Sequence, residues 1–207
     1  MGDNRQVSTL NRTVPRWHAL IVTAVVALFA VAACGGSDGK KADDAVPVPK
    51  GFDVPAGVTL TKGGTVLTED DSASVIYQVG NAAASAITVT VTSVAKGDID
   101  DFKFFSLDEE TKQASPFYVS VTVKNEGPAG LGGAALPIYA HDSSNTIFPP
   151  NELVGDFKPC PQPALPKTFL PGATADLCLV YLVPKGKALQ SVDLQTGSSK
   201  DAITWTP

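Results

Sequence analysis

Three cysteines are the side chains most capable of covalent chemistry in this chain of 207 residues. Cys34 follows an uncharged apolar run, whereas Cys160 and Cys178 lie in the second half of the chain. An odd number of cysteines in an exported protein calls for an explanation. If Cys34 is modified, Cys160 and Cys178 remain as a pair, and a disulfide between them is favoured. The alternatives are two free thiols or a metal-binding pair, although neither cysteine has a histidine nearby and their spacing is not typical of a zinc site.

Residues 1–33 have the three parts of an export signal. Arg5, Arg12 and Arg16 form a positive region, and Ala19 to Ala33 form an apolar run of 15 residues. As a helix, this run would span roughly 22 Å, which is short of the ~30 Å hydrocarbon core of a bilayer. A cleaved signal peptide over 1–33 is therefore favoured over a permanent membrane anchor.

The end of this run carries a short motif, Val31-Ala32-Ala33-Cys34. It resembles the lipobox of bacterial lipoproteins, which has small residues before a cysteine. The resemblance implies transfer of diacylglyceryl to the Cys34 thiol, cleavage after Ala33 and attachment to the outer face of the cell membrane, with palmitate-type chains. Two or three acyl chains hold a protein on a membrane far longer than one chain does. The alternative is an incidental cysteine in an ordinary signal peptide.

Residues 34–57 are rich in Gly, Pro, Asp and Lys and have no apolar periodicity. This composition predicts a flexible tether between the lipid and the folded domain. The chain has a net charge of −5, and because the segment before Cys34 carries +2, the remainder carries −7. Such an acidic body argues against a nucleic-acid partner and against direct electrostatic adhesion to anionic lipid.

From residue 58 the sequence consists of short β-branched runs separated by turn residues, and helical periodicity is almost absent. In "AITVTVTSV" (Ala86–Val94), Ile87, Val89 and Val91 alternate with threonines, which predicts a strand with one dry and one wet face. "PFYVSVTVKNEG" repeats the pattern, with a hairpin predicted over Leu136–Phe148. Further strands are predicted over 74–79, 173–183, 189–194 and 202–205, and 107–113 is predicted as a helical turn or a charged loop. The expected fold is all-β, an antiparallel β-sandwich over residues 58–207.

Three segments between Ile87 and Leu194 also carry a family resemblance. They are "ITVTVTSV", "FYVSVTVKNEG" and "FLPGATADLCLVYLVPKG", in that order and spacing. The chain resembles the DUF4352 family in these segments. The resemblance implies an immunoglobulin-like sandwich on an exported bacterial lipoprotein, akin to the mycobacterial immunoprotective extracellular protein. It brings no catalytic residues, and the Ala/Gly/Val/Pro-rich composition is similar to that of actinobacterial proteins.

Two acidic clusters provide the oxygen ligands that calcium prefers. One is Asp98, Asp100 and Asp101, and the other is Glu69, Asp70 and Asp71. Neither matches a full calcium-binding loop, so solvated turn charges are favoured. The weaker hypothesis is that the two loops meet at one end of the sandwich and share an ion.

His141 is the one histidine after the signal segment and is expected at the edge of the predicted hairpin. Asp142 and Ser143 could complete a Ser/His/Asp site, but sequence neighbours on a strand point to opposite faces. A solvated polar histidine is therefore favoured over a catalytic base, and no serine lies in a nucleophile-elbow motif.

The loop "FKPCPQPALPKTF" contains four prolines, which favour a stiff, extended path. Phe157, Leu165 and Phe169 could make this loop a partner-binding edge, because a rigid segment loses little entropy on contact. The competing interpretation, which is favoured, is a long crossover between sheets that the disulfide staples in place.

These observations predict a membrane-anchored extracytoplasmic binding module without catalytic activity, cofactor or resident metal. Its partner would be another exported protein or a component of the cell envelope. A small-ligand or calcium carrier that uses the end loops is the alternative, and a hydrolase is the least favoured.

Overall fold

Nine β-strands form the domain in the computed structural model, which describes residues 46–207. The signal segment and Cys34 lie outside these residues. The strands are β1 (Val66–Leu67), β2 (Ser72–Tyr77), β3 (Ser85–Lys96), β4 (Ser115–Gly127), β5 (Ile138–Asp142), β6 (Ile147–Phe148), β7 (Thr174–Val183), β8 (Leu189–Leu194) and β9 (Ile203–Trp205).

The strands make two sheets. The five-stranded sheet has the order β1-β9-β8-β5-β6, and the four-stranded sheet has the order β2-β3-β4-β7. Neighbouring strands are antiparallel except for β1 and β9, which are parallel. The predicted all-β, two-sheet architecture is confirmed, and the purely antiparallel prediction is wrong at β1. That strand has two residues, too few to show the period-two pattern.

The core lies between the two sheets and follows the alternation of the long strands. On β3, Ile87, Val89 and Val91 are fully buried, as are Val119 and Val123 on β4. All five strands of the five-stranded sheet contribute apolar side chains to this core, among them Leu67, Ile138, Ala140, Phe148, Val192, Leu194, Ile203 and Trp205. Each sheet has apolar side chains on its inward face, and the two sheets bury these side chains against each other.

The hairpin between β5 and β6 turns through Asp142 to Asn145, as predicted. The Asp142 carboxylate oxygen Oδ1 accepts hydrogen bonds from the backbone N–H and hydroxyl of Ser144 at 2.7 Å and from the Thr146 N–H at 3.0 Å. These bonds hold the pKa of Asp142 below its usual value. Asn145 has a positive φ of 61°, a conformation that asparagine tolerates better than most residues.

Asn125, near the end of β4, links three parts of the domain although it is fully buried. Its Oδ1 accepts bonds from the Ser85 hydroxyl and the Gly127 N–H, and its Nδ2 donates to the carbonyls of Ala129 and Phe169. This full set of bonds compensates for the cost of burying the amide.

Short 3-10 segments replace helices in the connections of residues 46–207. They cover Ile99–Phe102, Thr111–Gln113 and Ser199–Asp201. The helical turn predicted within 107–113 is the second of these, shortened to three residues. Within the described range, no helix has the length and apolarity needed to cross a membrane.

Residues 46–57 precede the first strand and have turns but no regular structure. This stretch contains two hydrogen-bonded turns. In the first, the Phe52 N–H donates to the Pro49 carbonyl, and in the second, the Val58 N–H donates to the Pro55 carbonyl. It is the described part of the segment predicted as a tether, and Val46, Pro47 and Pro49 lie against the sandwich at the cleft considered below.

Candidate functional site

The outer face of the four-stranded sheet has two chemically different halves. In one half, the outward positions of β4 and β7 carry Tyr118, Cys178, Val180 and Leu182, which lie in a second apolar cluster outside the main core. Two long connections, β3 to β4 and β6 to β7, cover this half with Ile99, Phe102, Phe105, Leu107, Leu153, Phe157 and Cys160. We call it the covered half.

Aromatic rings hold the covered half together. The rings of Phe102 and Phe157 stack with centroids 4.6 Å apart, and Phe105 and Tyr118 each meet Phe157 edge to face at 5.6 Å. The Tyr118 hydroxyl donates to the Asp101 carboxylate at 2.8 Å. Burial and this carboxylate raise the pKa of Tyr118. The aromatic pairs add stabilisation beyond the area that they bury.

A disulfide between Cys160 and Cys178 ties the β6–β7 connection to β7, as predicted, with the two Cα atoms 5.1 Å apart. Beside it, the Cys178 N–H donates to the Gln162 carbonyl at 2.7 Å, and the Asn151 N–H donates to the Val180 carbonyl at 2.7 Å. The connection therefore forms hydrogen bonds with part of the exposed backbone edge of β7, and fewer backbone groups remain there to pair with another strand.

The prediction that Phe157, Leu165 and Phe169 form a partner-binding edge is wrong. All three side chains are 5% exposed or less. Phe157 packs in the covered half, and Leu165 and Phe169 fill the main core between the sheets. The connection runs from β6 in one sheet to β7 in the other, as the competing interpretation expected, and its apolar side chains turn inward because burial removes them from water.

The other half of this outer face is bare and polar. Eight hydroxyl side chains stand on it, from β2 (Ser72, Ser74), β3 (Thr88, Thr90, Thr92, Ser93) and β4 (Ser120, Thr122). Register pairs Ser72 with Thr90, Ser74 with Thr88, and Thr90 with Thr122. We call this surface the hydroxyl half; Asp176 on β7 borders it on one side, next to Thr122.

A shallow groove of about 230 Å³ lies where the two halves meet. Thr92, Ser120 and Thr122 line it from the sheet, and Pro161, Gln162 and Asp176 line it from the side of the disulfide. Because Cys160 is bonded to Cys178, the Pro161–Gln162 wall is fixed relative to the sheet.

A larger cleft, of about 600 Å³, opens at the edge where β2 faces the end of β8. Buried Val75, Leu194 and Ile203 give it apolar surface, and exposed Gln78, Thr196 and Ser198 give it polar surface. Residues 46–49 form part of its wall. Apolar surface with a few polar groups is typical of small-ligand sites.

The acidic clusters do not form a metal site in the described chain, where no group of three His, Cys, Asp or Glu side chains could hold an ion. Asp98 caps the Ile99–Phe102 segment by accepting from the Asp100 N–H, and Asp101 accepts from Tyr118. In the other cluster, Glu69 accepts from the Val94 N–H. Among the described residues, neither Asp98, Asp100 and Asp101 nor the Glu69 cluster forms such a group, so the structure does not support the weaker hypothesis that the two loops share a calcium ion.

His141 lies within β5, between β8 and β6, rather than at an edge of the sheet. Its Nδ1 is 3.7 Å from Asp193 Oδ2, and the Ser191 hydroxyl donates to Asp193 Oδ1 at 2.8 Å. Neither residue belongs to the Asp142–Ser143 pair weighed from the sequence. Because they come from a neighbouring strand, only the register of β5 with β8 identifies them. The serine is bonded to the carboxylate and not to the imidazole, so the cluster lacks the arrangement of a nucleophile and its base.

No family model, curated protein or solved structure matches this chain.

Proposed function

We propose that this chain is a lipoprotein, anchored by diacylglyceryl on Cys34 to the outer face of the cell membrane. Its β-sandwich would be an immunoglobulin-like binding module that contacts a component of the cell envelope or another exported protein, without catalysis. The location and the activity are separate parts of the proposal, and each has its own test.

The observation that carries the proposed location is the pairing of the cysteines. Cys160 and Cys178 are bonded to each other, which is typical of proteins folded in an oxidising compartment outside the cytoplasm. Their bond leaves Cys34 as the remaining thiol of three, at the end of the apolar run. A thioether-linked lipid accounts for this odd cysteine.

The proposed activity rests on the contrast between the two halves of the four-stranded sheet. The chain covers the apolar half with its own connections and leaves the hydroxyl half open. A preformed, open polar surface supports binding, and the Ser191–Asp193–His141 arrangement does not support hydrolysis. The immunoglobulin-like type is supported by the two packed sheets with four and five strands.

Replacement of the proposed lipid attachment residue tests the location. We expect Cys34→Ser to accumulate as an unprocessed precursor or to leave the membrane fraction, whereas Ser37→Ala, in the same polar stretch, stays processed and membrane-bound. Immunoblotting of fractionated cells reads both outcomes. A Cys34→Ser protein of mature size in the membrane fraction would contradict the proposal.

A second candidate function is transport or storage of a small amphipathic ligand in the edge cleft. It is favoured by the volume of about 600 Å³ and by the mixed apolar and polar lining. Native mass spectrometry of protein purified from its own cells should then show a bound molecule. We expect Gln78→Trp, at the cleft, to remove this adduct, and Gln190→Trp, at the exposed position of β8, to keep it. An adduct-free wild type would contradict this candidate.

A further inference from the structure

We propose that the hydroxyl half and its groove bind a neutral, polyhydroxylated glycan. This inference rests on the proposed function for its location outside the cytoplasm and names the chemistry of the partner. It follows from which hydrogen-bonding groups the surface has left to offer, and from its charge.

Most hydroxyl hydrogens of the hydroxyl half already form hydrogen bonds with other atoms of the protein. Ser74 donates to Thr88, which donates to Glu126 Oε1 at 3.0 Å, and Ser72 shares one hydrogen with Thr90 across 2.7 Å. Thr122 donates to Asp176 Oδ1 at 2.7 Å, and Thr92 donates to the Ser120 carbonyl at 3.2 Å. Five of the eight hydroxyl hydrogens therefore lie in bonds within the protein.

What remains includes many acceptors, together with a few donors from Ser120, Ser93 and the Lys124 ammonium. Each hydroxyl oxygen that donates once still has lone pairs, and Asp176 has a second carboxylate oxygen beside Thr122. Across the groove, Gln162 donates one Nε2 hydrogen to the Ala164 carbonyl, which leaves its side-chain oxygen as an acceptor and its second Nε2 hydrogen as a donor. A complementary ligand must therefore supply many hydrogen-bond donors and some acceptors, as the hydroxyl groups of a sugar do.

The charge of the surface and of the whole protein indicates which kind of hydrogen-bonding ligand fits. Lys124 Nζ lies 2.8 Å from Glu126 Oε2, so one of the two carboxylates that border this half is already paired. Asp176 alone is a weak basis for binding a polycationic peptide. The net charge of −7 from Cys34 onward disfavours anionic polymers. A neutral glycan meets both conditions.

The surface is also prepared for contact. Threonine has few side-chain rotamers, and the pairs described above fix them further. The disulfide and the 2.7 Å bond from the Cys178 N–H to the Gln162 carbonyl fix the wall of the groove. A flat surface that is already ordered loses little entropy when a ligand binds.

Affinity electrophoresis tests the proposal on the mature protein, purified from membranes in a neutral detergent. The gels contain dextran, mannan or galactan as neutral probes, or polygalacturonate as an anionic one. We expect at least one neutral polysaccharide to retard the wild type and polygalacturonate to leave it unretarded. Removing two acceptors with Thr122→Val and Asp176→Asn together should weaken the binding about 10-fold. The matched control Thr204→Val, on the outer face of the five-stranded sheet, should stay within about 2-fold.

Three outcomes would overturn the glycan proposal. The first is that none of the three neutral probes retards the protein, and the second is that Thr204→Val loses as much binding as the double variant. The third is that the protein binds polylysine instead of polysaccharide and loses this binding when salt is added. Melting curves of the variants confirm that each is folded. None of these outcomes affects the proposed location, because fractionation of the same variants reports the lipid anchor independently.

Discussion

The two halves of one sheet face show how the same strands serve two purposes. Along β4, the outward side chain changes from Thr122 through Ser120 to Tyr118, and the partner on β7 changes from Asp176 to Cys178 to Val180. In the covered half, two connections of the chain pack over the sheet, and a disulfide fixes one of them. In the hydroxyl half, the hydroxyl side chains face water. We therefore expect the covered half to stabilise the domain, and we propose that the hydroxyl half binds the partner.

Removing the central ring of the covered half should have the largest effect on stability. Phe157 stacks on Phe102 and meets Phe105 and Tyr118. We expect Phe157→Ala to lower the free energy of unfolding by about 4 kcal/mol, because it leaves a cavity under the connection. Urea denaturation followed by tryptophan fluorescence measures the change; a loss below ~1 kcal/mol would mean that this cluster is not a stabilising one.

Removing the disulfide should have the next largest effect. The bond closes a loop with a sequence separation of 18. We expect the double substitution Cys160→Ser and Cys178→Ser to lower the stability by about 3 kcal/mol, mostly through the unfolded chain. Reduction of the wild type should give a similar loss in the same assay. Equal stability of reduced and oxidised protein would show that the staple contributes nothing.

A substitution in the hydroxyl half should have little effect on the free energy of unfolding. Thr90 bonds with Ser72 on the exposed surface. We expect Thr90→Val to change the free energy of unfolding by less than about 1 kcal/mol, because water replaces the lost partner and valine suits a strand. A loss as large as that of Phe157→Ala would abolish the distinction between the two halves.

The sequence revealed these halves unequally. The Thr/Val alternation of β3 and β4 predicted the inward and outward faces of both strands, and the odd number of cysteines made the disulfide the favoured pairing. In contrast, one hypothesis, although not the favoured one, placed Phe157, Leu165 and Phe169 at a partner-binding edge because a proline-rich loop is stiff. Their burial depends on where a long connection crosses the sandwich, which period-two patterns do not encode.

Long-range partners were the other information that local sequence could not supply. The neighbours of His141 in space, Asp193 and Ser191, come from β8, about 50 positions away, and β1 is too short to be recognised. A signal for the covered half was present in "LCLVYLV", where apolar residues occupy both faces of the strand. Such a continuous run indicates a strand that is buried on both sides.

The smallest predicted effect concerns pH in the hydroxyl half. The bonds from Lys124 and Thr88 lower the pKa of Glu126 below its usual value. Their stabilisation is therefore present above the ordinary glutamate pKa of ~4.3 and is lost as the pH falls through the lower folded-state value. We expect Glu126→Gln to lower the free energy of unfolding by about 0.5 kcal/mol or less at neutral pH. The melting temperature of this variant should also fall less steeply than that of the wild type as the pH is lowered. Melting temperatures from pH 3 to 7 measure this; an unchanged acid slope would contradict it.

The most direct test of the central claim is mass spectrometry of the amino-terminal peptide of the mature protein from the membrane fraction. The account predicts that this peptide begins at Cys34 and carries the added mass of a diacylglyceryl group. A mature protein that begins at another residue, or a Cys34 without acyl mass, would contradict it.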